Sequence, residues 1–170
     1  MKTNYRQRIA DRLLVRKLAG KGAVVIEGAK WCGKTTTAEQ IAKSVLYMSE
    51  TGKIEQNKQL ARINPSLLLK GENPRLIDEW QVAPILWDNI RFESDHRDEL
   101  WLFILTGSSV PDDMNEVIHS GTGRIGWLKM RTMSLWESGD STGEVSLSEL
   151  FTTPDVISGI SLIDLEKIAF

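Results

Sequence analysis

The run Gly28-Ala29-Lys30-Trp31-Cys32-Gly33-Lys34-Thr35 has the spacing G-x-x-x-x-G-K-[ST], the pattern of a phosphate-binding loop. Each fixed position has a physical reason. Gly28 and Gly33 let the chain turn tightly, so that successive backbone N–H groups face a β-phosphate. Lys34 brings a positive charge to the β/γ oxygens, and the Thr35 hydroxyl is placed to ligate Mg²⁺. The backbone from Gly28 through Ala29, Lys30, Trp31, Cys32, Gly33, Lys34, Thr35 and Thr36 is thus the expected nucleotide-binding surface. A chance Gly-rich turn would explain the motif alone, but not its setting. The apolar run 23–27 leads in as a strand and 35–43 leads out as a helix, whose N-terminus adds attraction for an anion.

Further along, Asp78 and Glu79 close a short strand, 75–78. A carboxylate there can hold Mg²⁺ through water, and an adjacent glutamate can orient or deprotonate an attacking water. The next apolar run ends in Thr106-Gly107-Ser108-Ser109. If its strand lies between those carrying the loop and the acidic pair, Thr106 or Ser108 emerges beside a γ-phosphate. Arg124 follows the Gly121-Thr122-Gly123 turn, where it could serve as an arginine finger in a neighbouring chain.

These residues need a scaffold, and the hydrophobic periodicity supplies one. Residues 4–19 place Ile9, Leu13, Leu14 and Leu18 at helical spacing, with basic residues between them. Strands are predicted over 23–27, 45–48, 75–78, 100–105 and 125–133. The segment 51–69 is polar, with a short helix cut by Pro65, and the turn Asn73-Pro74 introduces the third strand. An amphipathic helix is predicted over 84–96. A loop containing Pro111, a loop over 139–143 and a last helix over 161–170, capped by Ser161 and Asp164, complete the reading. Strands alternating with helices imply a mainly parallel sheet with right-handed crossovers.

Composition narrows the class. A chain of 170 residues, 41% hydrophobic and 26% charged, suits one soluble globular unit. A formal net charge of −2 gives no electrostatic footprint for nucleic acid or an anionic membrane. Lys2, Arg6, Arg8, Arg12, Arg16, Lys17 and Lys21 crowd the amino terminus, which reads as a solvated basic helix face. The single cysteine, Cys32, excludes an internal disulfide and fits a reducing cytoplasm. His96 and His119 lack companions at zinc-ligand spacing. The six tryptophans are read mainly as packing residues, with Trp31 and Trp80 placed to report on nucleotide. No run is long enough for a membrane span.

The segments VVIEGAKWCGKTTTAEQ, RLIDEWQ, FILTGSS, GTGR and MRTMSLWESG occur in one order over roughly residues 20–140. On these the chain resembles the ATPase core of an AAA-type family of prokaryotic ATP-binding proteins that typically carry a C-terminal domain of unknown function. The resemblance implies a three-layer α/β/α phosphate-loop fold with five strands in the order 5-1-4-3-2. It implies Lys34 and Thr35 as phosphate and Mg²⁺ residues, Asp78 and Glu79 as the Walker-B pair, Thr106 as sensor one and Arg124 as the finger. The chain reads as the N-terminal ATPase part of such a protein: a basic helix over 1–22, the core over 23–138, and a helical extension over 139–170 that begins a lid or following domain. The expected activity is hydrolysis of Mg²⁺-ATP to drive or gate a partner interaction, with self-association through Arg124. Without an Asn-Lys-x-Asp guanine signature, ATP is preferred to GTP. The alternative is a nucleotide-gated interaction module with little turnover. A small-molecule kinase ranks last, because no basic acceptor cluster follows the loop. The protein partner is unidentified, and net charge gives nucleic acid no support.

Overall fold

The structure, a computed structural model, describes residues 5–107 and 123–152. It divides into two compact units, Ile9–Thr132 and the pair of segments Met1–Arg8 and Met133–Phe170. Ser108, Ser109, Pro111, His119, the first two residues of the 121–123 turn and the 161–170 helix with its Ser161/Asp164 cap lie outside the described residues.

In the larger unit, five parallel strands form one sheet: β1 (Ala23–Glu27), β2 (Ser44–Tyr47), β3 (Arg75–Asp78), β4 (Phe103–Gly107) and β5 (Ile125–Lys129), in the order β2-β3-β4-β1-β5. This is the expected 5-1-4-3-2 order. β1 sits between β4 and β5, with Val24 beside Ile104 and Gly126. Because helices cover both faces, β1 is apolar at successive positions rather than alternate ones. Val24, Ile26, Leu76, Ile104 and Leu128 pack toward α1 (Ile9–Leu18) and α2 (Lys34–Glu39). Val25, Ile77, Phe103 and Leu105 pack toward α3 (Ile54–Ile63), α4 (Pro65–Leu69) and α5 (Leu86–His96). The α/β/α layering is therefore present.

Several boundaries differ from expectation. In α1 the buried stripe is Ala10, Leu14 and Leu18, while Ile9 and Leu13 are 46% and 42% exposed. The helical period is right and its phase is one residue off, because the small Ala10 faces the sheet. α2 stops at Glu39, and residues 40–42 close it with tighter bonds such as Ile41 N–H to Ala38 O at 3.1 Å. The 51–69 segment is two helices, with Pro65 opening the second. β4 begins at Phe103 rather than residue 100, since Trp101 has φ 62 and Leu100 is half exposed. The strand instead runs on through Thr106 and Gly107, paired with Ile26 and Glu27 of β1. β5 ends at Lys129, short of the expected 133. Among the tryptophans, Trp80 and Trp87 are core residues and Trp127 packs on Trp87 in a tilted pair with ring centroids 5.6 Å apart, but Trp31 is 92% exposed. No helix among the described residues is long and apolar enough to cross a membrane.

The smaller unit contains α6 (Leu135–Ser138) and α7 (Leu147–Thr152). Glu137 and Ser134 form a reciprocal capping box at the start of α6. The other carboxylate oxygen of Glu137 accepts from Arg8 Nε at 3.0 Å, with both side chains 5% exposed. Arg8 is thus buried in an ion pair, contrary to its expected place on a solvated basic face; Arg12 and Arg16 of α1 are exposed as expected.

Candidate nucleotide site

A parallel sheet gathers its βα loops at the carboxyl ends of the strands, and the predicted site residues that the structure describes lie there, except Arg124. The loop leaves β1 at Gly28. A Cβ built on Gly28 would lie 2.1 Å from the Met130 carbonyl oxygen, so the loop packs backbone against backbone just beyond β5. Cys32, 4% exposed, reinforces this seat by donating its thiol to the same carbonyl at 3.7 Å. Gly33, with φ 98, turns the chain into α2, whose first turn receives no hydrogen bond from a capping side chain. We expect Gly28→Ala to lower stability by about 2 kcal/mol, the range of overpacking against an unyielding neighbour. A melting temperature roughly 4–8 °C lower would show this, whereas an unchanged one would mean that the loop does not rest on Met130.

The side chains follow from this backbone. Ala29, Lys30 and Trp31 form the exposed rim, with Lys30 Nζ 5.7 Å above the Trp31 ring. Lys34 is 6% exposed and donates to the carbonyls of Gly28 at 2.9 Å and Ala29 at 2.8 Å. Both partners are neutral, and no carboxylate among the described residues pairs with this ammonium. Thr35 and Thr36 lie on the first turn of α2.

Asp78, 9% exposed at the end of β3, is the meeting point. Its Oδ1 accepts from the Thr35 hydroxyl at 2.6 Å and from the Thr106 hydroxyl at 2.6 Å. One carboxylate oxygen thus ties together the helix after the loop, the acidic strand and the strand between β3 and β1. Glu79 follows in the left-handed region at φ 55 and opens a 3₁₀ turn, Trp80–Val82. Its Oε2 accepts from Gln81 Nε2. On β2, beside Asp78 in register, Tyr47 donates to Glu39 Oε1 at 2.6 Å. That hydrogen bond, followed by burial and the charges of Glu39 and Asp78, pushes the phenol up to about 12, so it stays a donor at neutral pH.

Arg124 is not brought to this site. Its carbonyl accepts from Ala23 N–H at 3.5 Å, at the opposite end of β1 from the loop. A five-residue strand separates the two ends by roughly 15 Å. The guanidinium, 48% exposed, pairs with Asp95 at 3.0 Å and Asp98 at 3.8 Å. Three contributors to the site escape sequence reasoning, namely the Met130 carbonyl, Tyr47 with Glu39, and Gln81. Only Gln81 carries a local signal, as a polar residue two positions beyond the acidic pair.

A loop of this shape on β1, an acid at the end of β3 and a polar residue on the intervening β4 define an α/β/α domain of the nucleotide-binding ATPase type. The sequence matches the family model described as AAA domain over residues 20–138, most of its length, and the chain belongs to that AAA domain family. No curated protein matches it.

Proposed function

We propose that this chain binds Mg²⁺-ATP at the Gly28–Thr36 loop and hydrolyses it, using the cycle to drive or gate association with a partner protein. The convergence of the Thr35 and Thr106 hydroxyls on Asp78 Oδ1 carries this proposal. A buried carboxylate fixed between a loop helix and a polar strand end suits the recognition of a phosphate-bound cation better than it suits core packing.

The residues fit Mg²⁺. Thr35 and Asp78 are hard oxygen donors, and the Thr35 hydroxyl spends its proton on Asp78, leaving lone pairs for a cation. When bound, Mg²⁺ supplies charge neutralisation on the phosphate oxygens. Lys34 is already inside the loop and exchanges carbonyl partners for phosphate oxygens, a charge-assisted gain. The loop N–H groups orient the β-phosphate. Glu79 takes a proton from the attacking water, and Thr106 holds Asp78 while facing the γ-phosphate side. Arg124 acts on the site of a neighbouring copy of the chain. The lone Cys32, with no disulfide, suits a cytoplasmic location.

Lys34→Ala tests the binding half of this proposal. Loss of a charge-assisted contact of about 1.5–3 kcal/mol should weaken ATP affinity roughly ten- to a hundredfold in calorimetry. Undiminished affinity in a folded variant would overturn the site. Steady-state ATP turnover over a range of protein concentrations tests the chemical half. Tight binding without turnover would favour a nucleotide-gated interaction module instead.

A further inference from the structure

Tyr47 and Glu39 meet beside the Thr35–Asp78–Thr106 cluster, and the binding and hydrolysis proposed above assign them nothing. Register explains their placement. Thr106, Asp78 and Tyr47 are partners on β4, β3 and β2, so a row of polar residues crosses the carboxyl end of the sheet on the side of α2. On α2, Thr35 and Glu39 are four residues apart and share one face of the helix. The two sets meet pairwise. Thr35 donates to Asp78 Oδ1 at 2.6 Å, and Tyr47 donates to Glu39 Oε1 at 2.6 Å. The helix is thus bonded to β3 near its start and to β2 at its last residue.

α2 has reason to need both bonds. It spans six residues, too few to persist on its own helical hydrogen bonds. Its one apolar residue, Ala38, is buried but small, so packing presses the helix onto the sheet and resists a pivot only weakly. A helix anchored at Thr35 alone could swing about that point. A second anchor roughly 6 Å further along the axis fixes its direction. Direction matters because the N–H groups of the first turn face the phosphates in the proposed complex, and a misplacement of about 1 Å can cost about 10²-fold. When Lys34 leaves the Gly28 and Ala29 carbonyls for phosphate oxygens, the bonds at Asp78 and Glu39 are the ones that stay.

We infer that Tyr47 is a positioning residue for the nucleotide site: through Glu39, its hydroxyl holds α2 in the direction that aims the first turn at the phosphates. The assignment rests on the nucleotide binding proposed above for the Gly28–Thr36 loop. The end of β2 is a firm point to pull from. Asn57 Nδ2, on α3, donates to the carbonyls of Tyr47 at 3.2 Å and Met48 at 3.3 Å, and Met48 N–H donates to the Asp78 carbonyl at 3.1 Å. The phenol, pushed up to about 12, keeps its proton for Glu39 throughout the neutral range.

Mg²⁺-ATP affinity is measured by calorimetry on the wild type and on variants at both ends of the bond. Tyr47→Phe removes the donor and keeps the ring. We expect affinity to weaken roughly three- to tenfold, the range for losing one hydrogen bond. Glu39→Ala should match that loss. Glu39→Gln still offers Tyr47 an amide oxygen, so its affinity should stay within about twofold of wild type. Because the two residues act through one bond, Tyr47→Phe combined with Glu39→Ala should cost no more than about twofold beyond either change alone. An affinity of Tyr47→Phe within about twofold of wild type, whatever its melting temperature, would reduce the bond to a brace for the edge strand and overturn the assignment. So would Glu39→Gln binding as weakly as Glu39→Ala, or a double variant losing the product of the single effects. If Tyr47→Phe does not fold, the contrast between Glu39→Ala and Glu39→Gln decides alone. Wild-type protein that binds no ATP would instead overturn the nucleotide site, and the role of Tyr47 with it.

Discussion

Glu79→Gln should keep Mg²⁺-ATP bound while slowing hydrolysis by about 10²-fold or more. The substitution preserves shape and hydrogen-bonding capacity but removes the base, and general-base contributions of this kind are about 10²–10⁴-fold. Binding should survive because the loop, Lys34 and the Thr35–Asp78–Thr106 cluster do not use the Glu79 carboxylate. The effect should therefore fall on kcat, with affinity from calorimetry nearly unchanged. Asp78→Asn should behave differently. It removes the charge at the shared acceptor of two hydroxyls, so the Mg²⁺ dependence of binding should weaken. A Glu79→Gln protein that turns over ATP at the wild-type rate would show that the acidic pair has another purpose.

The parts of this site that sequence discloses are those whose residue types are dictated by short-range chemistry. Gly33 is required by its φ of 98, and Gly28 by the nearness of the Met130 carbonyl. The strand β1 is legible because burial on both faces leaves an unbroken apolar run. β4 is legible in existence but not in its bounds. Leu100 and Trp101 are as apolar as the strand itself, and nothing local reveals that Trp101 adopts φ 62. At its other end Thr106 and Gly107 resemble a turn in sequence. They remain in the strand because Thr106, 1% exposed, finds its acceptor on Asp78 of the neighbouring strand. The phase of α1 is hidden for a related reason, since Ala10 carries little hydrophobicity yet fits closely over the sheet. The Cys32–Met130 seat joins residues 98 apart and Tyr47–Glu39 joins an edge strand to α2, pairings that only the fold creates. Arg8 shows the limit of charge counting. It sits in a basic run, yet it is buried against Glu137.

Arg124→Ala should remove the concentration-dependent part of ATP turnover while leaving affinity nearly intact. In its own chain Arg124 lies at the far end of β1 from the loop, so any action on a γ-phosphate must come from a second copy. Such an arginine neutralises charge on the transferring phosphoryl group and contributes about 10³–10⁵ in rate in phosphoryl-transfer systems. Its present partners do not forbid the move. The pair with Asp98 is solvent-exposed and the pair with Asp95 partly so, with the Arg124 side chain 48% accessible. Exposed pairs of this kind contribute roughly 0–1 kcal/mol and weaken further with salt. A neighbouring nucleotide carrying several negative charges can outcompete them. The decisive experiment mixes two inactive proteins. Arg124→Ala supplies an intact loop and Lys34→Ala supplies an intact arginine, so a mixed interface joins one working half of each. Activity of the mixture well above the sum of its parts is the expected result. If the two variants associate and the mixture stays inactive, Arg124 serves only to hold the Asp95–Asp98 end of α5 to the start of β5.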